Sequence, residues 1–476
     1  MLYINGEWAP SRSAREFESR DPASGAVLGQ VADAGREDVA AAIAAAEQAF
    51  PAWAKRTAYE RSAILYRAWE LMLERKEELA QLMTREQGKP IRMARTEVGY
   101  AADFVLWFAE EAKRVYGETI PSSRADQRFH VLRQPVGVAA AITPWNYPIS
   151  MLTRKIAPAL AAGCTIVVKP AEQTPLCAVE TFKVFADAGV PAGVINLVSS
   201  SDPEPIGDEL LSNPAVRKIT FTGSTEIGKF IAGRAAEQMK RVSMELGGHA
   251  PFIVFPDADP VRAAKGAAAV KFLNTGQACI SPNRIFVHRS IAETFLATLR
   301  ERVAKLKTGH GLADGISVGP LIDEQALTKM QRQVDDAVSH GADVLVGGEQ
   351  LKGGAYEGGY FWAPTVISGV TPEMLIYREE TFGPIAPVII FDDEEEVIRM
   401  ANDTTYGLAS YIYTNDLSRA YRVAEALDFG MIGINDINPT SAAVPFGGVK
   451  ESGLGREGAR EGLSEYLNSK VLGIAL

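Results

Sequence analysis

The chain has 476 residues, with 49 lysines and arginines against 59 aspartates and glutamates, a net charge of −10. That acidic balance, with no block of basic residues, argues against nucleic acid and anionic membrane as partners. The length exceeds the roughly 250–300 residues at which a single core stops growing, so more than one folding unit is expected.

The opening stretch, MLYINGEWAPSRSAREF, has no basic start followed by an apolar core, so no signal peptide is expected. No apolar run is long enough to span a bilayer. Apolar residues three and four apart predict helices over 36–53, 58–88 and 96–115. The texture then changes. Short β-branched runs at 137–143, 164–170, 194–200 and 216–223 alternate with helical stretches at 149–163, 177–189, 204–213 and 224–240. Such alternation predicts βαβ units and a parallel sheet, and near-continuous apolar strands predict a sheet covered on both faces. A second α/β region follows MELGGHAP, with Gly247–Gly248 the expected hinge. Its strands are expected at 251–255, 284–288, 342–348, 386–391 and 431–435. The apolar tail, EYLNSKVLGIAL, is expected to add a strand to another part of the molecule.

Five stretches carry possible chemistry, each with a plainer alternative. In ITFTGSTEIGKF a strand runs through a glycine turn into a helix, a generic anion cradle. Gly223, Gly228 and Lys229 have P-loop spacing, but Phe230 stands where a hydroxyl would hold magnesium, so the NTPase reading fails. A structural turn explains it equally well. In VVKPAEQTP, Lys169 and Glu172 sit at the carboxyl end of a strand, where open α/β sheets bind ligands; an ordinary solvated ion pair is the alternative. Glu245, in SMELGGHAP, is a carboxylate in an apolar run, either paired or raised in pKa and available as a base. Asn146, in TPWNYP, either caps the following helix or aims its amide at a developing oxyanion. Tyr147, Met151 and Arg154 share one face of that helix.

The fifth stretch is NTGQACISPNR. Cys279 lies on a polar, glycine-bearing turn between a helix and a strand, which is unusual for a structural cysteine. Three cysteines in all leave at least one free thiol, which fits a reducing, cytoplasmic setting. No metal site is expected.

Together the motifs TPWNYP, KPAEQTP, FTGSTEIG, MELGGHAP, NTGQACI, EETFGP and PFGGVKESGLGRE resemble the aldehyde dehydrogenase superfamily across the whole chain. LTRKIAPALAAG and EETFGPIAPVI resemble its succinate-semialdehyde dehydrogenase branch. The resemblance implies an α/β fold: a modified Rossmann cofactor domain (1–113 and 132–246), a second α/β catalytic domain (247–445) and a small β oligomerisation arm (114–131 and 460–476). It implies Cys279 as nucleophile, Glu245 as general base, and Asn146 with the Cys279 N–H as oxyanion hole. For NAD, with NADP as a second possibility, it implies Thr143, Pro144, Trp145, Lys169, Pro170, Ala171, Glu172, Gly207, Gly223, Ser224, Thr225, Gly228, Leu246, Glu380 and Phe382. Around the aldehyde it implies Arg154, Tyr147, Met151, Leu273, Ser441 and Phe446, and for the assembly a homodimer or homotetramer.

The branch commonly holds its substrate's far carboxylate with two arginines. Arg154 matches one, but Leu273 stands in place of the other. Succinate semialdehyde is the expected substrate, and 2-oxoglutarate semialdehyde, lactaldehyde and glycolaldehyde are the alternatives. A non-catalytic binding protein would have lost Cys279, Glu245 or Asn146, and all three are present.

Overall fold

A computed structural model describes all 476 residues. The first 32 residues, for which no element is read from the sequence, hold four strands: Leu2–Ile4, Glu7–Ala9, Glu16–Arg20 and Val27–Ala32. Leu2–Ile4 and Glu7–Ala9 form a hairpin whose turn residues, Asn5 and Gly6, both take positive φ, as a tight two-residue connection requires. Three-residue strands are too short to show a period of two. The helix expected over 58–88 is two helices, Ala58–Glu74 and Lys76–Gln87. They break at Arg75, whose φ of −95° and ψ of 12° leave the helical basin while the apolar spacing continues across the bend.

The first large sheet has eight strands. Its five central strands, Arg241–Glu245, Val216–Thr222, Val138–Ile142, Thr165–Lys169 and Ile195–Leu197, are parallel. Both faces are covered, and alternation along the strands shows how. Ala139, Ala141, Ile166 and Val168 pack with Leu152, Ile156 and Leu160 on one side. Val138, Ala140 and Val167 pack with Val39, Leu210 and Ile231 on the other.

After Glu245 the chain leaves this sheet, and Ala250–Val254 begins a second one of seven strands. Two of its members, Thr365–Ser368 and Ala409–Tyr413, were not expected from the sequence. The connection passes Gly248, where an added Cβ would stand 2.3 Å from the carbonyl oxygen of Cys279. Gly453–Leu454 returns to the edge of the first sheet, antiparallel to Arg241–Glu245. The apolar tail does form a strand: Leu467–Ala475 pairs along its whole length with Gln127–Pro135, which also pairs with Glu118–Pro121. No helix is long and apolar enough to cross a membrane.

Candidate active site

Cys279 follows a locally unusual turn. The helix Pro260–Lys271 ends at Phe272, and Asn274, Thr275 and Gly276 then take φ of 50°, 60° and 74°. Left-handed backbone in two non-glycine residues costs on the order of 1 kcal/mol each, so something must hold it. The polar residues of the turn do so from within. Asn274 Nδ2 donates to the Gln277 carbonyl at 3.0 Å, Thr275 Oγ1 accepts from the Gly319 N–H at 3.0 Å, and Gln277 Oε1 accepts from the Ile322 N–H at 3.0 Å. This turn reads as polar in the sequence, yet Asn274, Thr275 and Gln277 are buried. Their polarity satisfies buried backbone rather than water.

Asn146 lies on the connection between Val138–Ile142 and the helix Ser150–Ala162. It does not cap that helix: the N-cap position is Ile149, which has no side-chain cap bond. Instead Asn146 Nδ2 donates to the Gln277 carbonyl at 3.1 Å, which turns its amide toward the residues just before Cys279.

Two cavities meet at Cys279. One, of about 330 Å³, is lined by Tyr147, Met151, Arg154, Leu273, Ser441 and Phe446 together with Cys279. The other, of about 480 Å³, is lined by Pro144, Trp145, Asn146, Gly223, Ser224, Leu246, Glu380 and Phe382, again with Met151 and Cys279. A third, of about 610 Å³, holds Lys169 and Gly207.

The last two suit a dinucleotide. Gly207 has nothing within 4 Å of an added Cβ, so a flat group can approach the backbone there. Ser224 caps the start of the helix Thr225–Ala236, Oγ accepting from the Ile227 N–H at 3.4 Å, and that positive helix end is fitted to phosphate. The Lys169–Glu172 pair, 2.9 Å apart, offers a donor and an acceptor. Burial alone would raise the Glu172 carboxyl, but Lys169 holds it below its ordinary value. Glu380 accepts from the Gly248 N–H at 3.0 Å.

Thr143, Pro170, Ala171, Glu172, Thr225 and Gly228 line none of the three cavities. Thr143 donates its N–H to the Lys169 carbonyl, and Thr225 Oγ1 accepts from the Gly247 N–H at 3.2 Å. A Cβ at Gly228 would meet Leu246 at 2.2 Å, so that glycine serves close packing.

Arg154 is 2% exposed and is not a lone cation. Its Nε lies 2.9 Å from Glu457, without hydrogen-bond alignment, and its Nη2 has no partner. The guanidinium sits over the rings of Phe446 at 4.0 Å and Phe104 at 5.0 Å. The neighbouring Lys155 reaches Glu457 at 2.6 Å. Glu245 is also buried, and neither carboxylate oxygen has a hydrogen-bond partner. Burial, then the nearby Glu457, pushes its carboxyl well above the ordinary range. Glu245 lines neither cavity at Cys279; a Cβ on Gly447 would stand 2.7 Å from its Oε1. Burial pushes the Cys279 thiol up to about 12, with Arg154 opposing the rise and Glu245 adding to it.

Sequence reading missed Lys155 and Glu457. The signal for the first was present: two adjacent cations, Arg154 and Lys155, in an otherwise apolar helix. Glu457 stands in a glycine-rich segment far along the chain, and nothing local marks it as buried.

A sequence profile of the aldehyde dehydrogenase family matches residues 8–472. A glutarate-semialdehyde dehydrogenase of Pseudomonas putida is 51% identical over 476 residues, covering 100% of this chain and 98% of that protein. An NADP-dependent succinate-semialdehyde dehydrogenase of Escherichia coli is 50% identical over 474 residues, covering 99% and 97%. The crystal structure of a succinate-semialdehyde dehydrogenase from Burkholderia pseudomallei superposes with a TM-score of 0.98 at 48% identity, covering 100% and 98%.

Proposed function

Because the chain belongs to the aldehyde dehydrogenase family and oxidises an aldehyde with NAD(P), we propose that its substrate is a short aldehyde with a carboxylate at the far end, succinate semialdehyde first. The observation that carries this reading is the unpartnered Nη2 of buried Arg154 in the cavity that also holds Cys279. Arg154 and Lys155 face the same carboxylate, Glu457, while burial works against ionisation of the nearby Glu245. Two buried cations thus share one carboxylate, and a desolvated cation favours a further anionic partner. Leu273 leaves an apolar wall where a second cation would narrow the choice. A longer chain, such as that of glutarate or 2-oxoglutarate semialdehyde, is therefore accommodated by the same cavity.

The thiolate of Cys279 adds to the aldehyde carbon, and the resulting thiohemiacetal oxygen takes its negative charge between Asn146 Nδ2 and the Cys279 N–H. Asn146 Nδ2 carries two hydrogens, so one can stay on the Gln277 carbonyl while the other serves the oxyanion. One such donor contributes about 2.7–4 kcal/mol to the transition state. NAD, when bound, supplies the hydride acceptor. Glu245 turns from its present place toward the thioester and takes a proton from water, releasing the acid. Lys169 and Glu172 hold the adenosine ribose, and Glu380 the nicotinamide half. NAD is preferred to NADP because Glu172 accepts from a 2′-hydroxyl and repels a 2′-phosphate; a kcat/KM higher with NADP overturns that preference.

The chain is divided as a cofactor domain over 1–113 and 132–246, a catalytic domain over 247–445, and an arm that includes the tail strand. It acts in the cytoplasm as a homodimer or homotetramer. Arg154→Ala tests the substrate reading. KM for succinate semialdehyde is expected to rise at least about tenfold, the range of one hydrogen bond to a charged group, while a neutral aldehyde of equal length changes little. Equal loss on both would mean that Arg154 serves only the fold.

A further inference from the structure

A second buried ion pair lies on the other side of Asn146. Lys89 follows Gly88, the left-handed end of the helix Lys76–Gln87, and Glu97 lies on the helix Ile91–Glu111. Their side chains are each 1% exposed and pair with one another. Isolated in an apolar setting, such a pair adds little net stability, because desolvation offsets attraction.

Its contacts give it another use. Lys89 Nζ donates to the carbonyl oxygen of Asn146 at 2.8 Å. That oxygen also accepts from Asn274 Nδ2 at 2.8 Å. Glu97 Oε1 accepts from the N–H groups of Ile149 and Ser150 at 3.1 and 3.2 Å. Without Glu97 these donors would go unsatisfied at the start of the helix Ser150–Ala162, which has no side-chain cap of its own. One ion pair therefore grips the backbone at Asn146 and again at Ile149 and Ser150, and Asn274 ties the Asn146 carbonyl to the turn that carries Cys279.

We propose that Lys89 and Glu97 are positioning residues, which fix the Asn146 amide relative to Cys279 so that the oxyanion donor is in place before the thiolate attacks. This rests on the reading of Asn146 as that donor. A donor pays off only if its geometry is set in advance, and a misplacement of about 1 Å costs on the order of a hundredfold. Lys89 also lines the aldehyde cavity with its Nζ 4.1 Å from the centre of the Tyr147 ring, so a direct contact with substrate is the competing account, and simple support of the fold is another.

Single-turnover formation of NADH separates the three. Asn146→Ala is expected to slow the burst by about a hundredfold or more. At saturating aldehyde, Lys89→Met is expected to slow it by about tenfold or more, with KM and the Kd for NAD changed by less than about threefold. In the Asn146→Ala background, adding Lys89→Met is expected to cost less than about twofold more, because the group it positions is gone. Lys89→Met leaves Glu97 buried and uncompensated; if it does not fold, Lys89→Met/Glu97→Gln, which removes both charges and keeps the acceptor for Ile149 and Ser150, is read in its place and in the same cycle. Losses that multiply in the cycle overturn the proposal in favour of fold support, and a loss confined to KM overturns it in favour of a substrate contact. A normal burst in Asn146→Ala refutes the oxyanion reading itself and takes this proposal with it, whereas a slow Asn146→Ala beside a normal Lys89→Met/Glu97→Gln sinks the proposal alone.

Discussion

Burial works against the charged forms that Glu245 and Cys279 need for their proposed work. Burial, then Glu457, raises the Glu245 carboxyl, so its basic form grows as pH rises. Burial raises the Cys279 thiol to about 12, so the thiolate fraction grows in the same direction. Both signs agree: turnover is expected to climb as pH is raised from neutral. In Glu245→Gln the NADH burst should survive while the steady-state rate falls by about a hundredfold or more, the range of one general base, and that residual rate should lose most of its rise with pH. A burst and a steady state that fall together would make Glu245 the activator of Cys279 as well. Both residues stand out in the sequence, a carboxylate in an apolar run and a thiol on a turn. Their environments do not, because Glu457 and Arg154 are 303 residues apart in the chain and meet only in the fold.

The turn from Asn274 to Gly276 shows what one element can couple. A Cβ at Gly276 would stand 2.1 Å from the carbonyl oxygen of Gly383, and the φ of 74° adds strain of its own. Gly383 directly follows Phe382, itself at a φ of 53° and edge-on to Trp145 at 5.6 Å. Gly276→Ala is therefore expected to disturb the nucleophile and the Glu380–Phe382 stretch together. Activity should fall by more than about tenfold, with weaker NAD binding as well, whereas backbone strain alone would cost only about 1 kcal/mol of stability. Normal NAD affinity in a slow variant would mean that the clash relaxes toward Cys279 only. At this scale the sequence shows the long parallel strands and the helices between them, because burial on both faces writes continuous apolar runs. It hides the three-residue strands near the start, too short for a period. It also hides the bend at Arg75, since the apolar spacing of two stacked helices runs straight through it.

For the whole molecule, the three-stranded sheet of Glu118–Pro121, Gln127–Pro135 and Leu467–Ala475 leaves apolar side chains in water. Val471 is 63% and Leu476 75% exposed, and Ile120, Leu132, Leu472 and Ile474 are exposed with them. By the register, Leu132, Leu472 and Ile474 share one face of this sheet and Ile120 and Val471 the other, and exposed apolar surface of this kind suits the assembly proposed above. Replacing Val471, Leu472 and Ile474 with serine is expected to shift the assembly to smaller species in analytical ultracentrifugation, with the large sheets intact by circular dichroism. An unchanged sedimentation coefficient would place the contact elsewhere. The meeting of the two cavities has a different consequence. Among their lining residues they share only Met151 and Cys279. Leu273, Ser441 and Phe446 belong to the aldehyde side alone, and Ser224, Glu380 and Phe382 to the cofactor side alone. Changes in the first set can redirect the enzyme to a new carbon skeleton while its redox partner goes unaltered, so a lineage can diversify its diet of aldehydes without relearning how to dispose of electrons.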